Sequence, residues 1–206
     1  MAYFPLFMEL NGVCCLVAGG GRIALHKVKV LKDFGAKVTV VADTILPELK
    51  AAEGICCLER NFVPEDLAGQ ALVVAATDDP GVNHRISLLC QKQRIPVNAV
   101  DQMEDCSFIF PAYVKEGEVV AAFVSGGQSP AVSQYLKERT RPVLTELVGR
   151  LASQLGGLRE EVKRIVPKRE QKAVYRALLR LGLEKESVLT EEEISQIIGG
   201  KAEWKE

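Results

Sequence analysis

Hydrophobic residues fall along this chain in two rhythms, one of strands and one of helices. Val13-Cys-Cys-Leu-Val-Ala18 is a short apolar run closed by Gly19-Gly20-Gly21, the pattern of a strand covered on both faces. Beyond the glycines, Ala24, Val28 and Leu31 recur at helical spacing, and Gly35 stands where that helix should end. Lys37 to Ala42 is a second, β-branched strand. Strand, glycine turn, helix and strand together fill about 30 residues, the size of a βαβ unit with a right-handed crossover. Further strands are expected at Ile55 to Leu58, Leu72 to Ala76 and Pro96 to Val100, with a helix from Gly81 to Gln93 between the last two. Strands alternating with helices predict an α/β fold, a Rossmann-like doubly wound parallel sheet.

The alternation then stops. Phe108 to Tyr113 and Glu118 to Val124 read as a hairpin around Lys115-Glu116-Gly117, so the first domain is expected to span residues 1–112. Ser129-Pro130 marks a helix start, with serine as N-cap and proline at the first helical position. From there the chain reads as helical. Leu144, Val148, Leu151, Leu155, Leu158, Val162 and Ile165 recur at steps of four and three, an apolar seam that suits a bundle within the chain and a contact between subunits equally well. Gly156-Gly157 interrupts any long continuous coil. Thr190-Glu-Glu-Glu193 is a capping box opening a last short helix that stops at Gly199-Gly200. A segment 113–150 and a helical C-terminal region 151–206 are therefore expected after the first domain.

Composition narrows the classes. With 48% hydrophobic residues, and 26 Lys+Arg against 27 Asp+Glu in 206 residues, the chain is too apolar and too balanced in charge to be disordered. A formal net charge of -1 gives no clustered basic excess for nucleic acid, and no run approaches the roughly 18 apolar residues of a membrane span. The N-terminus lacks the basic n-region of a secretory signal, so Met1 is the expected mature start. The six cysteines fall as Cys14-Cys15, Cys56-Cys57, Cys90 and Cys106. None makes a zinc-type spacing, and adjacent residues on a strand point to opposite faces, so neither pair closes a disulfide on itself. Reduced thiols in a cytoplasmic protein are the expectation.

Gly19-Gly20-Gly21-Arg22-Ile23-Ala24 fits G-x-G-x-x-A between a predicted strand and a predicted helix. Gly19 would allow the tight turn, Gly21 the approach of a pyrophosphate, and Ala24 close packing of helix on strand. A diphosphate would then meet the exposed N–H groups of the helix N-terminus. Asp43 stands 22 residues after Gly21, just past the second strand. There a carboxylate accepts from an adenosine ribose hydroxyl and repels a 2′-phosphate, which favours NAD over NADP. Asp43 would serve equally as a loop or cap residue before Thr44. Thr77-Asp78-Asp79 follows a strand end on the ligand-binding side of such a sheet; Thr77 is a cofactor candidate, whereas Asp78 and Asp79 could begin the next helix. The cofactor candidates are thus Gly19, Gly21, Arg22, Ile23, Asp43, Thr44 and Thr77.

Six segments stand in order: Gly19-Gly-Gly-Arg-Ile-Ala-Leu-His-Lys27, Gly35-Ala-Lys-Val-Thr-Val-Val-Ala42, Ala75-Ala-Thr-Asp-Asp-Pro-Gly-Val-Asn83, Val97-Asn-Ala-Val-Asp101, Cys106-Ser-Phe-Ile-Phe-Pro-Ala112 and Ser125-Gly-Gly-Gln-Ser-Pro130. Together they resemble the precorrin-2 dehydrogenase / sirohydrochlorin ferrochelatase family of siroheme biosynthesis. The resemblance implies NAD-dependent oxidation of precorrin-2 to sirohydrochlorin, followed in many members by Fe²⁺ insertion. It also implies a homodimer that draws on a dimerisation and active-site segment, here 113–150. The family's acidic catalytic residue falls on Asp101, and its Ser-Gly-Gly stretch near the active site on Ser125, Gly126 and Gly127. A carboxylate at a strand end beside the cofactor crevice is well placed to take the proton that accompanies hydride loss, or the pyrrole protons lost on metal insertion.

Ser125 to Ser129 would expose N–H groups to an anion such as a tetrapyrrole carboxylate, or would only launch a helix. His26 stands where members often have arginine. No resident metal is expected, because the tetrapyrrole supplies the nitrogens for Fe²⁺; the same holds for a chain that only dehydrogenates. The expected partners are a tetrapyrrole, NAD and a second copy of the chain, with no nucleic acid or membrane. A dinucleotide fold does not fix function, so a non-catalytic NAD-sensing module acting through its helical C-terminus is the alternative.

Overall fold

The computed structural model describes residues 3–199, which form two compact units: residues 4–110, and residues 111–199 with Tyr3. In the first unit β1 (Cys14–Ala18), α1 (Arg22–Asp33), β2 (Lys37–Ala42), α2 (Pro47–Lys50), β3 (Ile55–Glu59), β4 (Leu72–Ala75), α3 (Pro80–Gln93) and β5 (Val97–Ala99) follow one another. All pairings in this five-stranded sheet are parallel, in the order β3-β2-β1-β4-β5. This is the doubly wound arrangement that the alternating pattern predicts, with the strand order reversing between β1 and β4.

The central strand shows why its sequence lacks polar alternation. Cys15 and Val17 join the cluster that holds Ala24, Val28 and Leu31 of α1, whereas Leu16 and Ala18 join the cluster that holds Ile86 and Cys90 of α3. Both faces are covered, so both must be apolar. Each buried Val, Leu or Ile there contributes about 1.5–3 kcal/mol of transfer free energy. Burial also pushes the Cys15 and Cys90 thiols up to about 11, which makes them core packing groups and poor nucleophiles. Cys14 and Cys56 are exposed, and all six thiols are free.

In the second unit β6 (Ala112–Glu116) and β7 (Val119–Phe123) pair antiparallel. Gly117, at φ +58, takes the first place of their two-residue turn. The hairpin begins at Ala112 and not at Phe108, because Phe108 and Phe110 pack on the core of the first unit with their rings 5.2 Å apart. Among the described residues five helices follow: α4 (Pro130–Thr140), α5 (Glu146–Gly157), α6 (Arg159–Ile165), α7 (Gln171–Glu184) and α8 (Glu191–Ile198).

The apolar seam is divided between two of these helices. Leu151 and Val162 are fully buried within the unit, the helix breaks at Leu158, and Ile165 is 48% exposed. Gly182 of α7 approaches Leu151 so closely that a Cβ there would lie 2.5 Å from a leucine methyl. The buried part of the seam therefore serves packing inside the chain. Thr190 caps α8 as its sequence predicts: its hydroxyl accepts from Glu193 N, and Glu193 accepts from Thr190 N at 2.9 Å. The last helix ends before Gly199; Gly200 lies outside the described residues. No helix among the described residues is long and apolar enough to cross a membrane.

Candidate functional site

Three connections meet at the C-terminal edge of the parallel sheet, where the strand order reverses. They are the β1–α1 glycine turn, the β4–α3 loop and the segment after β5. They line a cleft of about 600 Å³ with Gly21, Arg22, Ile23, Ala76, Thr77, Asp78, Pro80, Asn83, Val100, Asp101 and Gln102.

The glycine turn has two tight positions and one open one. Gly19 takes φ +128, and a Cβ there would lie 2.1 Å from the carbonyl oxygen of Ala76; a Cβ on Gly20 would lie 2.1 Å from that of Thr44. Both obstacles are backbone. At Gly21, by contrast, a Cβ would meet nothing within 4 Å. Gly21 is the N-cap of the 12-residue α1, with φ -87 and ψ -170; no side chain caps the helix and no acidic residue stands in its first turn. The first-turn N–H groups, with the positive end of the helix dipole, are thus left beside open space, which is the requirement for binding a diphosphate.

Asn83 holds the β4–α3 loop from within. Buried on α3, it accepts at Oδ1 from Thr77 N (3.0 Å) and Thr77 Oγ1 (2.8 Å), and donates from Nδ2 to Thr77 O (3.0 Å). Thr77 therefore lines the cleft with its hydroxyl turned to two acceptors inside the loop, Asn83 Oδ1 and, at 3.1 Å, Asp79 O. Asp79 is the N-cap of α3, accepting from Gly81 N at 2.8 Å and Val82 N at 3.3 Å, while Asp78 lines the cleft.

Asp101 lies two residues past β5 in a left-handed conformation, φ +59. A non-glycine residue stays there only when its surroundings hold it, aspartate more readily than most. The surroundings do so through a chain of hydrogen bonds. Asn98 donates to Phe108 O at 3.1 Å, and the Cys106 thiol faces Ala99 O at 3.2 Å and Gln102 O at 3.3 Å. Gln102 donates from Nε2 to Pro80 O (3.1 Å) and to the buried Asp105 carboxylate (3.2 Å). Asp105 also sits 2.7 Å from His84 Nδ1 and accepts at its carbonyl from Ser87 at 2.5 Å. Asp101 itself is exposed at the cleft. The buried Gln102 Oε1 has no partner among the described residues, so a bound donor would satisfy it.

Lys27, one helical turn past Ile23, is half-buried with Nζ 4.1 Å from the Phe110 ring centroid. Burial pushes its amine below the ordinary lysine value, opposed by the Cys106 thiol and the Asp101 carboxylate. Burial likewise pushes the Cys106 thiol up. Among the described residues no group of three or more His, Cys, Asp or Glu could hold a metal ion.

Of the candidates, Gly21, Arg22, Ile23, Thr77 and Asp101 come together in the cleft. Gly19 is a tight position of the turn and is outside the lining. Asp43 and Thr44 follow β2 beside Gly20 and outside the lining, with Asp43 Oδ1 accepting from Thr44 N at 2.8 Å. Ser125, Gly126, Gly127 and Ser129 belong to the second unit. There Gly126 and Gly127 are both left-handed, at φ +63 and +77. Ser129 occupies the α4 N-cap, but its hydroxyl caps nothing; Ser125 Oγ instead accepts from Ser129 N at 3.0 Å. The paired glycine turn brings Ser125 back to that N–H. Asn83, Gln102 and Asp105 were missed as site residues. Asn83 had a signal: it and Ser87 are polar on the inward stripe of α3 that Ile86 and Cys90 share.

A family model described as NAD(P)-binding matches residues 6–112. The chain belongs to this family. The NAD(P)-binding match contains every residue of the cleft. The siroheme synthase of Thioalkalivibrio sulfidiphilus is 42% identical over 173 residues, covering 82% of this chain and 35% of that relative. The siroheme synthase of Methylobacillus flagellatus is 38% identical over 212 residues, covering 98% of this chain and 45% of that relative. The chain thus spans less than half the length of these curated relatives. Among solved structures, SirC, precorrin-2 dehydrogenase, matches with a TM-score of 0.72 at 26% identity, covering 96% of this chain and 99% of SirC.

Proposed function

We propose that this NAD(P)-binding chain is a dehydrogenase that oxidises precorrin-2 to sirohydrochlorin in siroheme biosynthesis, using NAD, with Asp101 as its catalytic residue. The observation that carries the reading is the cleft, which sets an open helix N-terminus at Gly21 beside the exposed carboxylate of Asp101. The match to a precorrin-2 dehydrogenase over nearly the whole of both chains supports it.

The residues fit the cofactor. Gly21 leaves room for a diphosphate, Gly19 shapes the turn beneath it, and Arg22, Ile23 and Thr77 line the bed. Asp43, with Thr44, would meet the adenosine ribose and disfavour the 2′-phosphate of NADP. When bound, NAD supplies the acceptor for a hydride. Asp101 takes the proton that leaves the substrate with that hydride. The bonds through Asn98, Cys106, Gln102 and Asp105 keep the Asp101 loop in place, so little reorganisation accompanies the transfer.

In the second unit, Ser125, Gly126, Gly127 and Ser129 would bind tetrapyrrole carboxylates. Residues 113–150 would form the dimerisation and active-site segment of a cytoplasmic homodimer, and 151–206 its helical C-terminal region. The same Asp101 would take pyrrole protons if the chain also inserts Fe²⁺ as a substrate.

The test gives the full chain NAD⁺ and precorrin-2 under anaerobic conditions and follows NADH and sirohydrochlorin. Asp101→Ala is expected to lose about 10²–10⁴-fold in rate while binding NAD like the wild type. A wild type that binds NAD yet never forms NADH from precorrin-2 refutes the enzyme reading and leaves the nucleotide-sensing module. Sirohydrochlorin with Fe²⁺ tests the second activity, which fails if the rate equals the spontaneous one.

A further inference from the structure

Charge is unevenly spread along the walls of the cleft. The one basic side chain in its lining, Arg22, stands on the first turn of α1. The two carboxylates in the lining stand elsewhere: Asp78 lies three residues past β4, and Asp101 two residues past β5. Both are exposed, and none of the ion pairs among the described residues includes either. Capping does not account for Asp78, because the N-cap of α3 is its neighbour Asp79, which accepts from Gly81 N and Val82 N. Lys27, whose amine feels the Asp101 charge, is outside the lining, so Asp78 is the cleaner probe of this acidic wall.

Strand order decides which half of a dinucleotide meets that wall. In the sheet β3-β2-β1-β4-β5 a dinucleotide lies across the point where the order reverses, with its diphosphate at the α1 N-terminus and its two halves to either side. Asp43 follows β2 and marks the adenosine side. The nicotinamide half then lies over the ends of β4 and β5, where Asp78 and Asp101 stand. The oxidised and reduced cofactors differ only in that half, and they differ by one charge. Uptake of a hydride, one proton with two electrons, turns the cationic pyridinium ring of NAD⁺ into the uncharged dihydropyridine ring of NADH. Carboxylates without a salt bridge attract the first ring and not the second.

We propose that Asp78 is a specificity-determining residue which, with Asp101, makes the cleft select NAD⁺ over NADH. The preference lets NADH leave more readily than NAD⁺ once the hydride has moved, which favours turnover in the direction of oxidation. The proposal rests on the proposed use of NAD in this cleft.

Equilibrium titrations of the full chain test it, with NADH followed by its own fluorescence and NAD⁺ by displacement of NADH. The wild type is expected to bind NAD⁺ more tightly than NADH by about 3- to 10-fold for each carboxylate, the size of one unit-charge attraction in a cleft open to solvent. Asp78→Asn, which keeps the shape and removes the charge, should shrink the ratio of the two Kd values by about 3- to 10-fold through weaker binding of NAD⁺. It should hold ADP-ribose, which lacks the ring, at least as tightly as the wild type. Glu104→Gln neutralises an exposed acid outside the lining and should leave the ratio unchanged. Added salt should narrow the ratio in the wild type itself, a measurement that needs no variant to fold; weaker binding of the diphosphate affects both forms alike and cancels. A wild-type ratio of one, or a ratio indifferent to salt or to Asp78→Asn, overturns the proposal. So does an Asp78→Asn that loses ADP-ribose as strongly as NAD⁺, since the loss would then lie in the shape of the loop. A wild type that binds neither NAD⁺ nor NADH overturns the proposed function and this inference with it, whereas one that oxidises precorrin-2 while binding both forms equally overturns this inference alone.

Discussion

Two alanine substitutions in the glycine turn should separate folding from cofactor binding. At Gly19 the backbone is at φ +128 and a Cβ would lie 2.1 Å from Ala76 O and 2.5 Å from the Ala76 carbonyl carbon. Gly19→Ala thus combines backbone strain of about 1–3 kcal/mol with an overlap of about 1–3 kcal/mol against backbone that cannot rotate away. The sum, about 2–6 kcal/mol, is a large part of the roughly 5–15 kcal/mol that holds a domain together. A fall in Tm of about 10 °C or more follows for a unit of this size. At Gly21 the same methyl meets nothing within 4 Å, and φ -87 suits alanine. Gly21→Ala should leave stability within about 0.5 kcal/mol of wild type.

The open space at Gly21 is where the diphosphate would come against the first-turn N–H groups. A methyl there should cost about 1–3 kcal/mol of affinity through the same kind of overlap, or roughly 10- to 100-fold in Kd for NAD. Thermal unfolding and NAD titration on both variants are sufficient. Wild-type NAD affinity in Gly21→Ala would refute the approach at Gly21, and wild-type stability in Gly19→Ala would refute the close passage of the glycine turn over Ala76.

Asn83→Ala removes three hydrogen bonds to Thr77; it should destabilise the chain by about 1–3 kcal/mol and raise the Kd for NAD, and an unchanged Kd by titration would show that the loop does not touch the cofactor. The lowered amine of Lys27 makes a signed prediction in pH. Its charged form is penalised in the folded chain, so the penalty is full at neutral pH and is relieved as pH rises from the folded value toward 10.5, the unfolded one. Lys27→Met removes the penalised charge, so it should be at least as stable as wild type at neutral pH, by a margin that shrinks with rising pH in denaturant titrations; a margin that grows would reverse the assigned cause.

The parts of the fold legible in the sequence are those that local rules dictate. A central parallel strand must be apolar on both faces, and Cys15 to Ala18 are; a turn that crosses Ala76 O at 2.1 Å of a virtual Cβ admits only glycine, and Gly19 is there. The Thr190 capping box needs residues three apart, and its bonds form as the spacing predicts. The hydrophobic pattern starts the hairpin too early, because Phe108 and Phe110 have strand-like hydrophobicity but spend it on the core of the first unit. Nothing in their local sequence says which surface they cover. Position before Pro130 makes Ser129 the expected cap, yet after the two left-handed glycines it is Ser125 Oγ that accepts from the Ser129 N–H.

The site divides along the same line. Gly19, Gly21 and Thr77 were found because a nucleotide turn is a backbone motif, written in consecutive residues. Asp101 was found only through resemblance to a family, since an acidic residue after a short strand has no local mark, and its left-handed φ is imposed from elsewhere. The residues that impose it are spread over two elements and the segment that follows them: His84 and Ser87 on α3, Asn98 in the middle of β5, and Gln102, Asp105 and Cys106 after it. Their side chains serve each other across 18 and 21 residues of chain in the bonds to Asp105. Each looks alone like an ordinary polar residue. Lys27 is a further case, because nothing in the α1 sequence shows that its ammonium lies on the ring of Phe110, 83 residues further along the chain. Chemistry that depends on such convergence is therefore visible in this chain only once the sheet has brought α1, α3 and the end of β5 to one edge.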